Sequence, residues 1–151
     1  LLQHERSSIG GIGGAQKTTS IEEYAKQYVG LDAHGKVDDA VLRSKILGHR
    51  MNDAAFALTM KRSVQESATG TAPGAVSSMF KYYGTEQNKG KYELLLSILG
   101  TQSLGWSGDT FNDDELNTTR AWLRSKANSI EGGTSEVQLN ILAKRVLALP
   151  E

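Results

Sequence analysis

The sequence predicts an all-α protein, an antiparallel up-and-down four-helix bundle with one short extra helix. Both prolines, Pro73 and Pro150, stand where a helical pattern ends. The sequence has no run of alternating β-branched residues longer than a few positions, so the signal for strands is weak. The connections between the helical patterns are short, which favours helices that pack as antiparallel neighbours. The 151 residues are enough for one domain with a single core.

Each helix follows from its own pattern. The four main helices are expected over residues 1–29, 38–68, 74–99 and 135–148, and the short one over 115–127. The second is marked by a 4-3-4 apolar spacing over Leu47, Met51, Ala54 and Leu58. The third is weakened by Gly84 and Gly90, because glycine inside a helix costs about 1 kcal/mol relative to alanine. The first is interrupted by four glycines in "GGIGG", which is read either as a loop or as a helix with one small face.

Composition excludes several classes of function. Lys and Arg together number 17, as do Asp and Glu, so the net charge is zero and a general nucleic-acid-binding protein is not expected. The absence of cysteine excludes a disulfide framework, a thiolate metal site and a cysteine nucleophile, and it suits a cytoplasmic protein. Apolar runs extend over only a few residues, so no membrane span is expected. The chain opens on Leu1 as if inside a helix, which indicates a domain taken from a longer protein.

Two familiar site patterns are not met. The cluster "GGIGGAQKTT" lacks the third glycine of a dinucleotide fingerprint, and Gln16 stands where a phosphate-binding loop needs glycine before Lys17. The three histidines, His4, His34 and His49, have no zinc-binding spacing, and no metal site is predicted.

Two other stretches could form a site. Glu5 and Arg6 lie in a helical pattern that soon becomes glycine-rich, so Glu5 is either a desolvated general base or an ordinary solvated residue. In "EGGTSEVQ", Ser135 and Gln138 have capping-box spacing, and Thr134 is an equally good N-cap. The last helix therefore begins at Thr134 or Ser135. Its free N–H groups could bind an anion, or the stretch could be only a capped helix start.

The same residues resemble a known family. The segment "RAWLRSKANSIEGGTSEVQLNILAKRVLALP", residues 120–150, is similar to the C-terminal signature of acyl-CoA dehydrogenases, and "LLQHERSSIGG" resembles the start of the same domain. The resemblance implies an FAD-dependent oxidoreductase of fatty acid metabolism that forms α,β double bonds in acyl-CoA thioesters. It implies that residues 1–151 are the helical third domain of a three-domain chain. It also implies an electron-transfer flavoprotein as partner and a homo- or hetero-tetramer assembled through this domain.

The resemblance also implies roles for single residues. Many relatives carry the catalytic base directly before the Gly-Thr of the signature, where this chain has Gly132, and Glu131 is one position out of register. Other relatives carry the base beside an arginine on the first helix, which makes Glu5 the candidate base and places Arg6 near the CoA portion. Gly133, Thr134 and Glu136 match signature positions that contact the flavin.

This chain departs from the family at further positions. Leu31 stands where relatives often have an arginine that reaches the FAD pyrophosphate, and Ser97 and Thr101 replace residues of a Gln-x-x-Gly-Gly segment. Such losses, together with Gly132, suit an alternative role. The domain could then belong to a non-catalytic structural subunit in a mixed acyl-CoA dehydrogenase complex.

Overall fold

A computed structural model describes residues 20–70 and 76–150 of the chain. In these ranges five α-helices follow one another: α1 Ile21–Tyr28, α2 Ala40–Ala68, α3 Val76–Leu99, α4 Asp113–Ser125 and α5 Ser135–Arg145. Two 3₁₀ helices, Gly100–Leu104 and Lys126–Ser129, precede and follow α4. The described residues contain no strand, only an isolated antiparallel bridge between Leu31 and Val37. The predicted all-α class is confirmed.

Helix α1 begins later than the predicted first helix. Ser20 has extended dihedral angles, and its hydroxyl accepts a hydrogen bond from the Glu23 backbone N–H at 3.2 Å. The Glu23 carboxylate accepts in return from the Ser20 backbone N–H at 2.8 Å, which completes a capping box. A helix therefore starts at Ile21, and a single helix over 1–29 is wrong. Glu5, Arg6 and the glycine cluster lie outside the described residues.

Helix α2 starts where its side chains predict a start. The Asp39 carboxylate accepts from the Leu42 backbone N–H at 2.8 Å and caps the helix. Leu42 and Ile46 are buried against the rest of the bundle. The apolar stripe that predicted this helix does not face the core. Its members Leu47, Met51 and Leu58 are all at least 60% exposed. The stripe correctly indicated a helix and lies on its solvent-facing side in the described chain.

Helix α3 is the central element and contacts α1, α2, α4 and α5. Its C-terminal half supplies Leu94, Leu95, Ile98 and Leu99 to the core, together with residues of α1 and α2. Gly84 does not break the helix. A Cβ at that position would lie 3.1 Å from Cζ of Phe56, so the glycine allows the Phe56 ring of α2 to approach the α3 backbone.

Helix α4 is fixed by a buried carboxylate. Asn112 and Glu115 form a second capping box, in which the Asn112 backbone N–H donates to Glu115 Oε2 at 2.8 Å. The other oxygen, Oε1, accepts from the Tyr28 hydroxyl at 2.8 Å. One side chain thus caps α4 and binds it to the end of α1. In the described ranges no helix is both long and apolar enough to cross a membrane.

Candidate functional site

The candidate site in the described chain is the glycine turn, residues 131–134, with the first turn of α5. Gly132 and Gly133 have φ angles of 66° and 96°, a left-handed region that side chains with a Cβ rarely adopt. Thr134 is the N-cap of α5, and its hydroxyl accepts from the Val137 backbone N–H at 3.3 Å. Of the two predicted starts, the Thr134 cap is the one that forms.

Gln138 has a different role from the predicted capping box with Ser135. Its side chain is completely buried, and its Nε2 donates to the carbonyl of Gly132 at 3.1 Å and to that of Gly133 at 3.5 Å. The capping-box prediction for Ser135 and Gln138 is therefore wrong. The amide group reaches back one turn and holds both carbonyls of the glycine pair, which a buried backbone requires.

The carboxylate of Glu131, at the start of the turn, accepts hydrogen bonds from two side chains. Arg124 donates to both of its carboxylate oxygens, at 2.8 and 3.3 Å, and Asn128 donates through Nδ2. The Arg124 hydrogen bond is the largest cause that lowers the pKa of Glu131, with burial opposing it and Asn128 adding to it. A carboxylate held in this way stays ionised and is a weak proton acceptor, so Glu131 is poorly suited to act as a base.

The 3₁₀ helix before the turn is held to α3 by polar contacts. Lys89 donates to Glu86 Oε1 at 2.8 Å and to Ser129 Oγ at 2.6 Å. Asn88 donates to Asn128 Oδ1 at 2.8 Å. These bonds fix the chain just before residue 131, so the geometry of the turn is set from α3 on one side and from Gln138 on the other.

The end of α5 that follows the turn favours negative charge. The pKa of Glu136 is lowered, first by a hydrogen bond from its own backbone N–H and then by the Thr134 side chain. Ser135 Oγ is buried and has no hydrogen-bond partner among residues 20–70 and 76–150. Free N–H groups, a positive helix end and two residues without side chains are the features by which proteins bind anionic or acceptor-rich ligands.

The positions at which the chain departs from the resemblance are spread over three elements. Leu31 pairs with Val37 in the isolated bridge between α1 and α2. Ser97 is exposed in the last turn of α3, and Thr101 is exposed in the 3₁₀ helix Gly100–Leu104. The described structure brings Gly133, Thr134 and Glu136 together at one helix start. Glu5 and Arg6 lie outside the described residues, so their predicted roles stay predictions.

A family model described as "Acyl-CoA dehydrogenase, C-terminal domain" matches residues 1–147. The chain belongs to the acyl-CoA dehydrogenase family. The match includes the glycine turn and the whole of α5, and members of this family are generally oxidoreductases. The resemblance noted in residues 120–150 is thereby confirmed at the level of the family.

A solved structure shares the fold. The crystal structure of the ChsE4-ChsE5 complex from Mycobacterium tuberculosis matches with a TM-score of 0.67 and 24% sequence identity. The match covers 87% of this chain and 34% of the other, so this acyl-CoA dehydrogenase domain spans about one third of that chain's length. Among curated proteins, none matches the sequence significantly.

Two residues of the site were missed by sequence reasoning. Gln138 was interpreted as a capping partner, and Lys81 was not singled out at all. Lys81 is only 6% exposed, and burial lowers the pKa of its ammonium, while the Glu131 carboxylate opposes that change. Neither role has a local signal, because a lysine or a glutamine inside a helix is normally a solvated residue.

Proposed function

We propose that the chain is the C-terminal domain of an FAD-dependent acyl-CoA dehydrogenase that introduces an α,β double bond into an acyl-CoA thioester. The observation that carries the proposal is the family match, together with a glycine turn that opens the last helix of the domain. A carboxylate of the chain would take the α proton, and an electron-transfer flavoprotein is the proposed partner that would take up the electrons.

The glycine turn suits the flavin nucleotide. Gly133 is half-buried and has no side chain that would block a ligand, and the positive end of the α5 dipole lies directly after it. Gly133, Thr134 and Glu136 are proposed as the flavin contacts. The buried, unpartnered Oγ of Ser135 supports a ligand here, since a polar atom in a protein interior normally has a hydrogen-bond partner. When bound, FAD supplies the hydride acceptor.

The base is proposed to be Glu5. Gly132 has no side chain, and Arg124 and Asn128 already engage the neighbouring Glu131, so the turn itself offers no free carboxylate before Thr134. Glu5, followed by Arg6, is then the candidate proton acceptor, and Arg6 is proposed to bind the CoA portion through its positive charge.

A spectroscopic experiment tests this function. The full-length protein that carries this domain is purified and its visible spectrum recorded, before and after anaerobic addition of acyl-CoA thioesters of different chain lengths. We expect a flavin absorption band that bleaches on addition of a substrate. A colourless protein that also fails to bind added FAD would overturn the proposal.

Replacement of Glu5 tests the assignment of the base. We expect Glu5→Gln to retain FAD and to lower kcat by about 10²–10⁴-fold, the usual contribution of a general base. Glu93→Gln, which changes an exposed carboxylate on α3, serves as the matched control and should leave kcat unchanged. Turnover of Glu5→Gln at the control rate would remove Glu5 from this role.

The remaining features of the proposal concern the whole protein. Residues 1–151 are proposed to be the third domain of a three-domain chain, in a cytoplasmic homo- or hetero-tetramer. The exposed apolar stripe of α2 supports assembly through this domain.

A second function is favoured by a specific observation. Gly132 occupies the position at which many relatives carry the catalytic base. The solved structure named above is a complex of two proteins, ChsE4 and ChsE5. We propose as the alternative a structural subunit whose partner performs the chemistry. Co-expression with a second, complete family member distinguishes the two functions. Activity that appears only in the mixed complex favours the alternative, and a self-sufficient homo-oligomer excludes it.

A further inference from the structure

One side chain of the 3₁₀ helix before the glycine turn makes hydrogen bonds in two directions. Asn128 accepts through Oδ1 from Asn88 Nδ2 at 2.8 Å, and it donates through Nδ2 to Glu131 Oε1. Asn88 lies in α3, so the two bonds connect the central helix of the bundle with the first residue of the turn. The three side chains, Asn88, Asn128 and Glu131, are partly buried and are called the amide relay below.

The charge of Glu131 fixes the direction of both bonds. An ionised carboxylate only accepts hydrogen bonds, so the Asn128 amide has to present Nδ2 to Glu131. Its Oδ1 then faces α3, and Asn88 has to present Nδ2 in turn. Arg124 donates to both oxygens of Glu131, at 2.8 and 3.3 Å, and this favours the ionised form of the carboxylate.

Position 128 requires the chemistry of asparagine. The amide offers one acceptor and two N–H donors on a single planar group, whereas an ionised aspartate offers acceptors only and a leucine offers neither. An aspartate here would also place a second carboxylate against Glu131, and like charges in a partly buried site repel each other. Gln138 binds the carbonyls of Gly132 and Gly133, so the amide relay and Gln138 hold different atoms of the turn.

We propose that Asn128 is a positioning residue, which transmits the position of α3 to the glycine turn through the carboxylate of Glu131. The amide relay fixes the point at which the chain enters the turn, and so it sets the position of Gly133 relative to the start of α5. The effect on the turn follows from hydrogen bonds within this chain. The consequence for FAD affinity rests on the proposed function.

The test measures amide hydrogen exchange and FAD affinity in the full-length protein. The backbone amides of Glu131, Val137 and Gln138 are hydrogen-bonded in and after the turn, to Ala127 and Thr134. We expect Asn128→Asp to accelerate exchange over residues 131–138 about tenfold, because local opening responds to the loss of local contacts. The dissociation constant for FAD should also rise about tenfold.

A matched control makes the same change elsewhere. Asn52→Asp replaces an exposed asparagine of α2 and should alter neither the exchange over residues 131–138 nor the affinity for FAD. An equal effect of the two variants would overturn the inference, because the loss would then follow from added charge alone.

A comparison at two pH values separates the hydrogen bonds from simple packing. The carboxylate introduced by Asn128→Asp faces Glu131, so its pKa should be raised. Once protonated, it can donate to Glu131 and still accept from Asn88, which restores the amide relay. Both effects, each relative to native protein at the same pH, should therefore be present at about pH 8 and shrink towards about pH 5. Effects of equal size at both pH values would contradict the assigned role.

An exchange of donor and acceptor gives an independent check. In the double variant Asn128→Asp and Glu131→Gln, the glutamine amide can donate to the new carboxylate, and Asn88 can still donate to its other oxygen. In a Glu131→Gln background, Asn128→Asp should therefore cause no further acceleration of exchange. Equal acceleration in both backgrounds, or none in either, would refute the inference.

A variant in α3 keeps the test decisive if Asn128→Asp does not fold. Asn88→Leu removes the donor at the other end of the amide relay and should accelerate exchange over the same residues. Gln87→Leu, which removes the neighbouring amide that donates to Tyr83 within α3, is its control and should not. Unchanged exchange in Asn88→Leu would also overturn the inference. If the native protein binds no FAD while the exchange results are as expected, the proposed function fails and the role of Asn128 stands.

Discussion

At the scale of single residues, the candidate site depends on side chains that support a backbone turn. The left-handed φ angles of Gly132 and Gly133 turn two carbonyls into the protein, and Gln138 satisfies both of them. Loss of the donor to a buried carbonyl lowers the free energy of unfolding by about 1–3 kcal/mol, so the side-chain amide of Gln138 is important for the stability of the turn.

Replacement of Gln138 tests that role. We expect Gln138→Leu to lower the free energy of unfolding by about 1–3 kcal/mol, because the leucine fills the space and leaves two carbonyls without a donor. Gln65→Leu, at an exposed position of α2, is the matched control and should stay within about 0.5 kcal/mol of the native protein. Urea denaturation measures both values. Equal values for the two variants would show that the carbonyls find other partners.

The residue scale also shows what the sequence could predict about the site. Thr134 and the two glycines could be identified, because N-caps and left-handed positions have strong local preferences. The contacts of Gln138 and the burial of Lys81 could not, since both depend on the packing of α3 against α5. The engagement of Glu131 by Arg124 joins residues seven positions apart across a turn, and no periodic pattern indicates it.

At the scale of elements, α1 and α4 are joined by a polar clamp, which consists of Tyr24, Tyr28, Glu115 and Thr118. The Tyr28 hydroxyl donates to Glu115, and the Tyr24 hydroxyl shares a hydrogen bond with Thr118 at 3.3 Å. The two tyrosine rings stack with centroids 5.9 Å apart. Glu115 is 6% exposed, so its charge needs the Tyr28 donor.

Tyr28→Phe tests the clamp and predicts a pH dependence. We expect a loss of about 1–3 kcal/mol at pH 7, because a hydrogen bond to a buried carboxylate is removed. The pKa of Tyr28 is raised above 10.0, first by burial and also by Glu115, while Asn112 opposes the rise. The folded state therefore retains this proton longer than the unfolded state. The contribution of Tyr28 is complete below pH 10 and is lost as the pH rises through its folded pKa.

The measurement is urea unfolding of native protein and Tyr28→Phe at several pH values between 7 and 11. The difference in stability between them should shrink above about pH 10. Tyr92→Phe removes a hydroxyl from a partly buried tyrosine packed on the core and serves as the control. A difference that stays constant up to pH 11 would contradict the assigned direction of the pKa.

The elements themselves were predicted unequally well. Helices α2 and α3 agree with prediction to within two residues at each end, because aspartates, a proline and long patterns mark them. The last helix ends at Arg145 rather than 148, and Ala148, three residues further on, has a left-handed φ of 49°. Ser20 and Glu23 have the Ser-x-x-Glu spacing of a capping box, which marks a helix start that a single helix over 1–29 does not contain.

At the scale of the whole molecule, the prominent feature is the apolar stripe on α2. Leu47, Met51 and Leu58 lie on one side of the helix and are 60%, 63% and 68% exposed. An isolated soluble domain rarely leaves such a continuous stripe in water, and surfaces of this kind typically bind another protein surface. We propose that this stripe is a subunit interface in the assembly proposed above.

Charge placed on this stripe tests whether it assembles the protein. We expect Leu58→Glu to reduce the molar mass of the full-length protein in solution by at least half, because a carboxylate cannot be buried in an apolar interface without a partner. Asn52→Glu adds the same charge at another exposed position of α2 and should leave the assembly intact. Size-exclusion chromatography with light scattering measures both masses. If Leu58→Glu lowers the melting temperature and leaves the mass unchanged, the stripe is covered within one chain, and the subunit interface must lie on another face.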